Sequence, residues 1–386
     1  MDARSISIVR ELMDAFAART GLTTNRPIRR YLWTDGFAVC AFLELLRQTG
    51  DGLYLNLAVR LVDQVHHTLR RHRPDDDRSG WISGLDEVEG EDHPTAGGLR
   101  IGKDLPERKP GQPVDPRMEW ERDGQYYHYL TKWMHALSRV GTVTGKGVYV
   151  RWALELAKAA HRAFVITHPD SPPKRIVWKM SVDLTYPLVS SMGQHDPLDG
   201  FVTYLELVQA TLGEPSWPDM DAEISDMRSL CQGLRWETGD ALGIGGLLTD
   251  AYRLAQLALR RDGERMRLLV DVLKACAASM DHDVLTASLE EPLRHRLAFR
   301  ELGLALGLRA AGLLEALVES RHAHLEDSVV PLSRVEDIAG HDTLRETIET
   351  QWLKAACKGH EAWVSHQDIN AVMLATSLAP ESYLRV

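Results

Sequence analysis

Asp35-Gly36-Phe37, Asp123-Gly124-Gln125 and Asp199-Gly200-Phe201 each open an apolar helical run, and weaker acidic openings follow near Asp240, Glu301 and Asp368. Asp is a favoured N-cap, and an anion at a helix start offsets the positive end of the helix dipole. Six such starts imply six helices that begin at a common mouth and run away from it, as in a closed helical barrel. The mouth is where function is expected.

Outward from these starts, apolar residues recur at helical spacing, as in Leu57, Leu61, Val62, Val65 and Leu69, while alternating β-branched segments are scarce. The periodicity predicts about twelve helices, near residues 5–19, 34–48, 53–73, 124–140, 147–165, 199–212, 219–234, 240–260, 263–279, 300–319, 342–358 and 366–377. They pair in sequence into six hairpins. One member of a pair is usually amphipathic, such as Glu264 to Ala278. The other is rich in Gly, Ala and Leu, such as Ala241-Leu242-Gly243-Ile244-Gly245-Gly246-Leu247-Leu248. Outer helices of a double ring show one face to water, and inner helices are buried all round. The expected fold is all-α, an (α/α)6 barrel spanning residues 1–386 as a single domain. Neither the constant period nor the consensus of a helical repeat array is found. Gly243-Ile244-Gly245-Gly246 lies within a helical run and follows no strand, so it reads as close helix packing, not a dinucleotide fingerprint.

The 386 residues carry a net charge of -10, which argues against nucleic acid, and no polybasic run serves an anionic membrane. Cys40, Cys231, Cys276 and Cys357 lie far apart without ligand spacing, so neither a disulfide framework nor a zinc knuckle is indicated. The first residues read as an amphipathic helix, not a signal segment, and no stretch reaches about 18 uninterrupted apolar residues. A reduced, cytoplasmic setting without metal or cofactor is the expectation. The sequence assigns no oligomeric state.

The longest loop runs from Pro74 to about Arg122. Its Trp81, His93, Arg100 and Trp120, with the turn-prone Ala96-Gly97-Gly98, favour an ordered lid over disorder.

Three strings sit at the predicted mouth: Tyr31-Leu32-Trp33-Thr34-Asp35-Gly36-Phe37, Trp120-Glu121-Arg122-Asp123-Gly124-Gln125-Tyr126-Tyr127-His128-Tyr129, and Trp236-Glu237-Thr238-Gly239-Asp240. With the twelve-helix pattern they make the chain resemble the six-hairpin glycosidase superfamily. That superfamily holds unsaturated glucuronyl hydrolases, other glycoside hydrolases and N-acylglucosamine 2-epimerase-like isomerases. The resemblance implies a site in the bowl of inner-helix N-termini and a small carbohydrate as substrate.

Glycoside cleavage needs a protonated carboxyl for the leaving oxygen and a carboxylate to activate water or attack carbon, with aromatic planes to hold the ring. Asp35, Asp123, Asp199 and Asp240 supply carboxyls; Trp33, Trp81, Trp120, Tyr126 and Trp236 supply faces. For each aspartate, helix capping is the competing role. Asp123, between Trp120 and the Tyr126-Tyr127-His128-Tyr129 cluster, is the first choice of general acid, since desolvation there raises a carboxyl pKa. Asp199 or Asp240 is the base. His128 on an inner helix is either an isomerase base or a hydrogen-bonded barrel residue. Gly193-Gln194-His195-Asp196-Pro197-Leu198-Asp199 reads first as a turn and then as a binding loop that brings His195 to the mouth. Ser365-His366-Gln367-Asp368 closes the ring, with His366 as a further sugar contact. His66, His67 and His72 with Asp63 share a predicted outer helix rich in arginine, so a solvated face is preferred over a metal site. Asp75-Asp76-Asp77 at the loop start is read as exposed charge. Hydrolysis of a small oligosaccharide is the leading function, sugar epimerisation or isomerisation the second, and carbohydrate binding without catalysis the third.

Overall fold

A computed structural model of the chain describes residues 3–168, 171–211, 217–258, 263–280, 283–322 and 332–386. Twelve long helices match the twelve periodic runs: α1 (Ala3–Arg19), α2 (Leu32–Thr49), α3 (Gly52–Leu69), α4 (Tyr127–Thr144), α5 (Gly147–Phe164), α6 (Asp196–Ala210), α7 (Asp221–Cys231), α8 (Ala241–Ala258), α9 (Gly263–Met280), α10 (Ala298–His322), α11 (Asp342–Cys357) and α12 (Gln367–Leu378). Short strands intervene. β1 (Gln125–Tyr126), β4 (Lys179–Met180) and β5 (Pro187–Val189) form an antiparallel sheet in the order β1-β4-β5, and β2 (Val165–His168) pairs with β3 (Ser171–Ile176).

The chain divides into two compact units, Ala17–Gly233 and Met1–Phe16 with Leu234–Val386. In the first, α2, α4 and α6 pack side by side, and each carries its hairpin partner, α3, α5 or α7. Their starts are almost wholly buried, from Leu32 to Leu45 in α2 and from Asp196 to Leu207 in α6, as expected of inner helices. In the second unit α8 packs on α10 and α10 on α12, with α9 and α11 behind. The approach of α8 to α10 is set by glycine: a Cβ on Gly245 would strike the Gly303 carbonyl, and one on Gly307 the Gly245 backbone. This is the close helix packing that the Gly-rich run predicts.

The acidic starts are less often caps than their composition implies. Asp240 does accept from the Gly243 N–H at 3.0 Å and caps α8. Asp35 lies inside the first turn of α2 and reaches back to the Tyr31 N–H (2.9 Å), while the N-caps of α4 and α6, Tyr126 and His195, make no side-chain cap bond. Asp123 and Asp199 therefore spend their oxygens elsewhere.

The long loop is ordered by short helices at Glu87–Asp92 and Pro116–Glu121, each capped by an aspartate, and by ion pairs. Arg78 joins Asp76, Glu107 and Asp183. Among the described residues no helix is long and apolar enough to cross a membrane.

Candidate functional site

Within the Ala17–Gly233 unit, the starts of α2 and α4, the short helix Pro116–Glu121 and the residues before β4 bring an aromatic cluster together. Trp33 lies on Phe37 with ring centroids 4.5 Å apart and faces Tyr129 at 6.4 Å. The hydroxyls of Tyr31 and Tyr129 are hydrogen-bonded at 2.8 Å. Tyr126 is flanked by His128 (5.4 Å), Tyr129 (5.1 Å) and Trp178 (5.0 Å), and Trp178 lies nearly parallel to the His128 ring at 6.2 Å. Trp120, 53% exposed, stands edge-on to Trp178 at 4.5 Å.

Beside this cluster α4 and α6 face each other through a ladder of titratable pairs. His128, Lys132 and His135 are spaced four and three residues apart, which places them on one side of α4. They meet Asp196, Asp199 and Glu206 of α6. His128 Nδ1 is 3.7 Å from Asp196 Oδ1, Lys132 Nζ donates to Asp199 Oδ1 at 2.6 Å, and His135 Nδ1 bonds Glu206 at 2.8 Å. Thr131 adds a hydroxyl to Asp199 Oδ2 at 2.5 Å.

The three rungs differ in what they do to protons. Asp196 is 6% exposed, and its Oδ2 is buried with no hydrogen-bond partner among the described residues. Gly193 permits this closure: a Cβ there would collide with the Asp196 carboxyl. Burial first and the Asp199 charge second push Asp196 up to about 7, with Lys132 opposing. A carboxylate without partners is costly in such a place, so the neutral acid is favoured. Burial also pushes His128 down to about 4, against the pull of Asp199, so its imidazole is neutral near pH 7. Asp199 has a lysine ammonium and a hydroxyl on its two oxygens, a charge-assisted setting that suits a carboxylate. The site thus holds a weak acid, a neutral imidazole and an anchored anion.

The other expected residues are distributed differently. Asp123 is 0% exposed; Arg100 holds Oδ2 at 2.9 Å, and the Gly102 and Gly124 N–H groups donate to Oδ1 at 3.0 and 3.1 Å. Arg100 also donates to the Arg71 and Thr68 carbonyls. The pair braces the loop where Ile101 bonds both Leu32 of α2 and Gly124. Asp35 is buried against Arg30 at 3.3 Å. Trp81 packs beneath Arg70 and Arg71, whose guanidinium carbons lie 4.6 and 3.9 Å from its ring, and so covers the end of α3. His93 pairs with Glu155 of α5 at 2.7 Å. His195, half-buried, precedes Asp196 at the start of α6. In the other unit, Asp240 pairs with Arg300 at 3.1 Å, Trp236 is buried, and exposed His366 meets the Phe299 ring at 6.0 Å.

The structure adds Lys132, Asp196 and Trp178. The signal for Lys132 was its position one turn beyond His128. Asp196-Pro197 reads as a turn opener in sequence, although Pro in the first turn also starts a helix well. Trp178 lies 50 residues beyond His128 and carries no local mark.

No protein-family model matches the chain, and no curated protein sequence is similar to it. Solved structures are. A family 76 glycoside hydrolase from a bovine Bacteroides thetaiotaomicron strain superposes with a TM-score of 0.55 at 10% identity, over 98% of this chain and 77% of that one. An alpha-1,6-mannanase of Salegentibacter sp. HEL1_6, an inactive variant with two Asp-to-Asn changes and bound alpha-1,6-mannotriose, gives 0.52 at 12% identity over 97% and 99%. A D-mannose isomerase gives 0.51 at 12% identity over 91% and 87%. The chain thus shares the fold of these structures, an (α/α)6 barrel.

Proposed function

We infer that the chain is a carbohydrate-active enzyme that hydrolyses a glycosidic bond of a small oligosaccharide by general acid–base catalysis. The observation that carries this is Asp196, a buried carboxyl held near pH 7 in its acid form, three residues before a carboxyl anchored on Lys132. A catalytic acid works best when its pKa lies near the working pH. Positions three apart on a helix share a face, so the two carboxyls stand close together at the start of α6.

In this reading Asp196 protonates the leaving oxygen, and Asp199 stabilises or attacks the anomeric carbon. Tyr126, Trp178 and exposed Trp120 hold the ring, and His195 contacts its hydroxyls. Asp123 is assigned to the scaffold. The inactivity of the Salegentibacter variant with two aspartates changed gives carboxyl chemistry a precedent on this fold. The D-mannose isomerase likeness supports a second reading, in which neutral His128, 3.7 Å from Asp196, removes a proton beside an open-chain carbonyl.

A screen of α- and β-linked disaccharides and uronosyl saccharides for reducing-sugar release, run in D2O with carbon-two exchange as a parallel readout, separates the two. Release abolished by Asp196→Asn supports hydrolysis. Exchange without release, abolished by His128→Gln, supports isomerisation. Neither activity on any sugar would sink both.

A further inference from the structure

A cavity of about 610 Å3 lies between α3 and α5, and none of the residues of the His128–Asp196 cluster lines it. Leu55, Val59 and Val62 of α3 give it an apolar floor. Tyr149 and Trp152 of α5 form an aromatic corner, with ring centroids 5.4 Å apart at 89°.

Two polar atoms without a partner among the described residues belong to its walls. His66 is 2% exposed, and its Nε2 accepts from the Trp133 indole N–H at 3.2 Å. An indole only donates, so the neutral imidazole carries its proton on Nδ1. Among the described residues Nδ1 makes no hydrogen bond. The Tyr149 hydroxyl, on a ring 7% exposed, makes none either. Water or a ligand in the cavity is what satisfies such groups.

The lining carries three cations, Arg60, Arg70 and Lys146, against two carboxylates, Asp63 and Glu91, which lie beside His67 at 3.3 and 3.1 Å. The Arg60 and Lys146 side chains, which also line the cavity, meet no carboxylate among the described residues.

We propose that this cavity binds an anionic pyranose, a sugar phosphate or a uronate. The ring packs in the Tyr149–Trp152 corner, a ring substituent oxygen accepts from His66 Nδ1–H, and a hydroxyl bonds Tyr149. The acid group lies on Arg60 and Lys146. Nothing in this depends on the chemistry at Asp196, and the test reads binding alone.

Titration calorimetry on the full chain uses glucose 6-phosphate, glucuronate, glucose, inorganic phosphate and benzoate as probes. At least one anionic sugar saturates the protein, while glucose, phosphate and benzoate bind at least tenfold more weakly. Arg60→Glu, an exposed change, weakens that ligand tenfold or more, which is about 1.4 kcal/mol. Tyr149→Phe weakens it severalfold while circular dichroism stays unchanged. The proposal fails if neither anionic sugar saturates the protein. It fails equally if phosphate or benzoate binds as tightly, or if Arg60→Glu leaves the affinity untouched.

Discussion

Replacing Asp196 by asparagine should make the protein more stable at alkaline pH while it removes the proposed acid. The folded state holds this carboxyl near pH 7, against 3.8 for an ordinary aspartate, because burial opposes its charge. Below pH 3.8 both folded and unfolded chains bind the proton, and the group has no net effect. Between 3.8 and 7 the unfolded chain releases the proton first, so native stability falls as pH rises, and above 7 the full loss is reached. A difference of about three pH units corresponds to about 4 kcal/mol. Asparagine keeps the shape and never ionises, so it escapes that loss. Thermal melts of both proteins at pH 4.5 and pH 8 measure the difference, and groups other than Asp196 largely cancel. Asp196→Asn should raise the melting temperature by about 5 to 10 °C at pH 8, and by a small fraction of that at pH 4.5. An equal shift at both pH values, or a lower melting temperature at pH 8, would refute the reasoning.

Further outcomes follow from the same geometry. Lys132→Met removes the cation that holds the Asp196 pKa down, so the alkaline limb of any activity profile should move to higher pH; a limb that moves down contradicts the ladder. Trp178→Ala should raise KM about 3- to 10-fold, with kcat changed much less, if the ring holds substrate by stacking, and steady-state kinetics decide it. Arg100→Ala strands Asp123 as a buried unpaired charge and should cost about 3 to 5 kcal/mol in urea unfolding. A loss below about 1 kcal/mol would mean that Asp123 is not the anchored carboxylate described above. Gly245→Val should destabilise the α8–α10 crossing by about 1 to 3 kcal/mol or more, read by the same assay.

The helices were legible because burial is written into periodicity, and each of the twelve runs became a long helix with ends displaced by a few residues. The alternation between Gly-rich and amphipathic partners was legible for the same reason. Side-chain pairing was not. Arg100 lies 23 residues before Asp123, and Lys132 67 residues before Asp199, so neither partnership leaves a local pattern. An aspartate beside aromatics looks desolvated from sequence; only the fold shows that Asp123 receives an arginine and two backbone N–H groups, while Asp196 is left with an unpartnered oxygen. Trp81 and His93 show the same limit: these two loop residues fasten to α3 and α5, where Arg71 and Glu155 offer a cation and a carboxylate that no local pattern announces.

The central claim is that Asp196, and not Asp123, is the acid. Its most direct test is the pH dependence of kcat/KM, on a saccharide found by the screen, for the unaltered protein, Asp196→Asn and Asp123→Asn. The account predicts an alkaline limb near pH 7 in the unaltered protein and a loss of at least about a hundredfold in Asp196→Asn. Folded Asp123→Asn should keep that limb in place. Full turnover by Asp196→Asn, or loss of the limb only in Asp123→Asn, would contradict it.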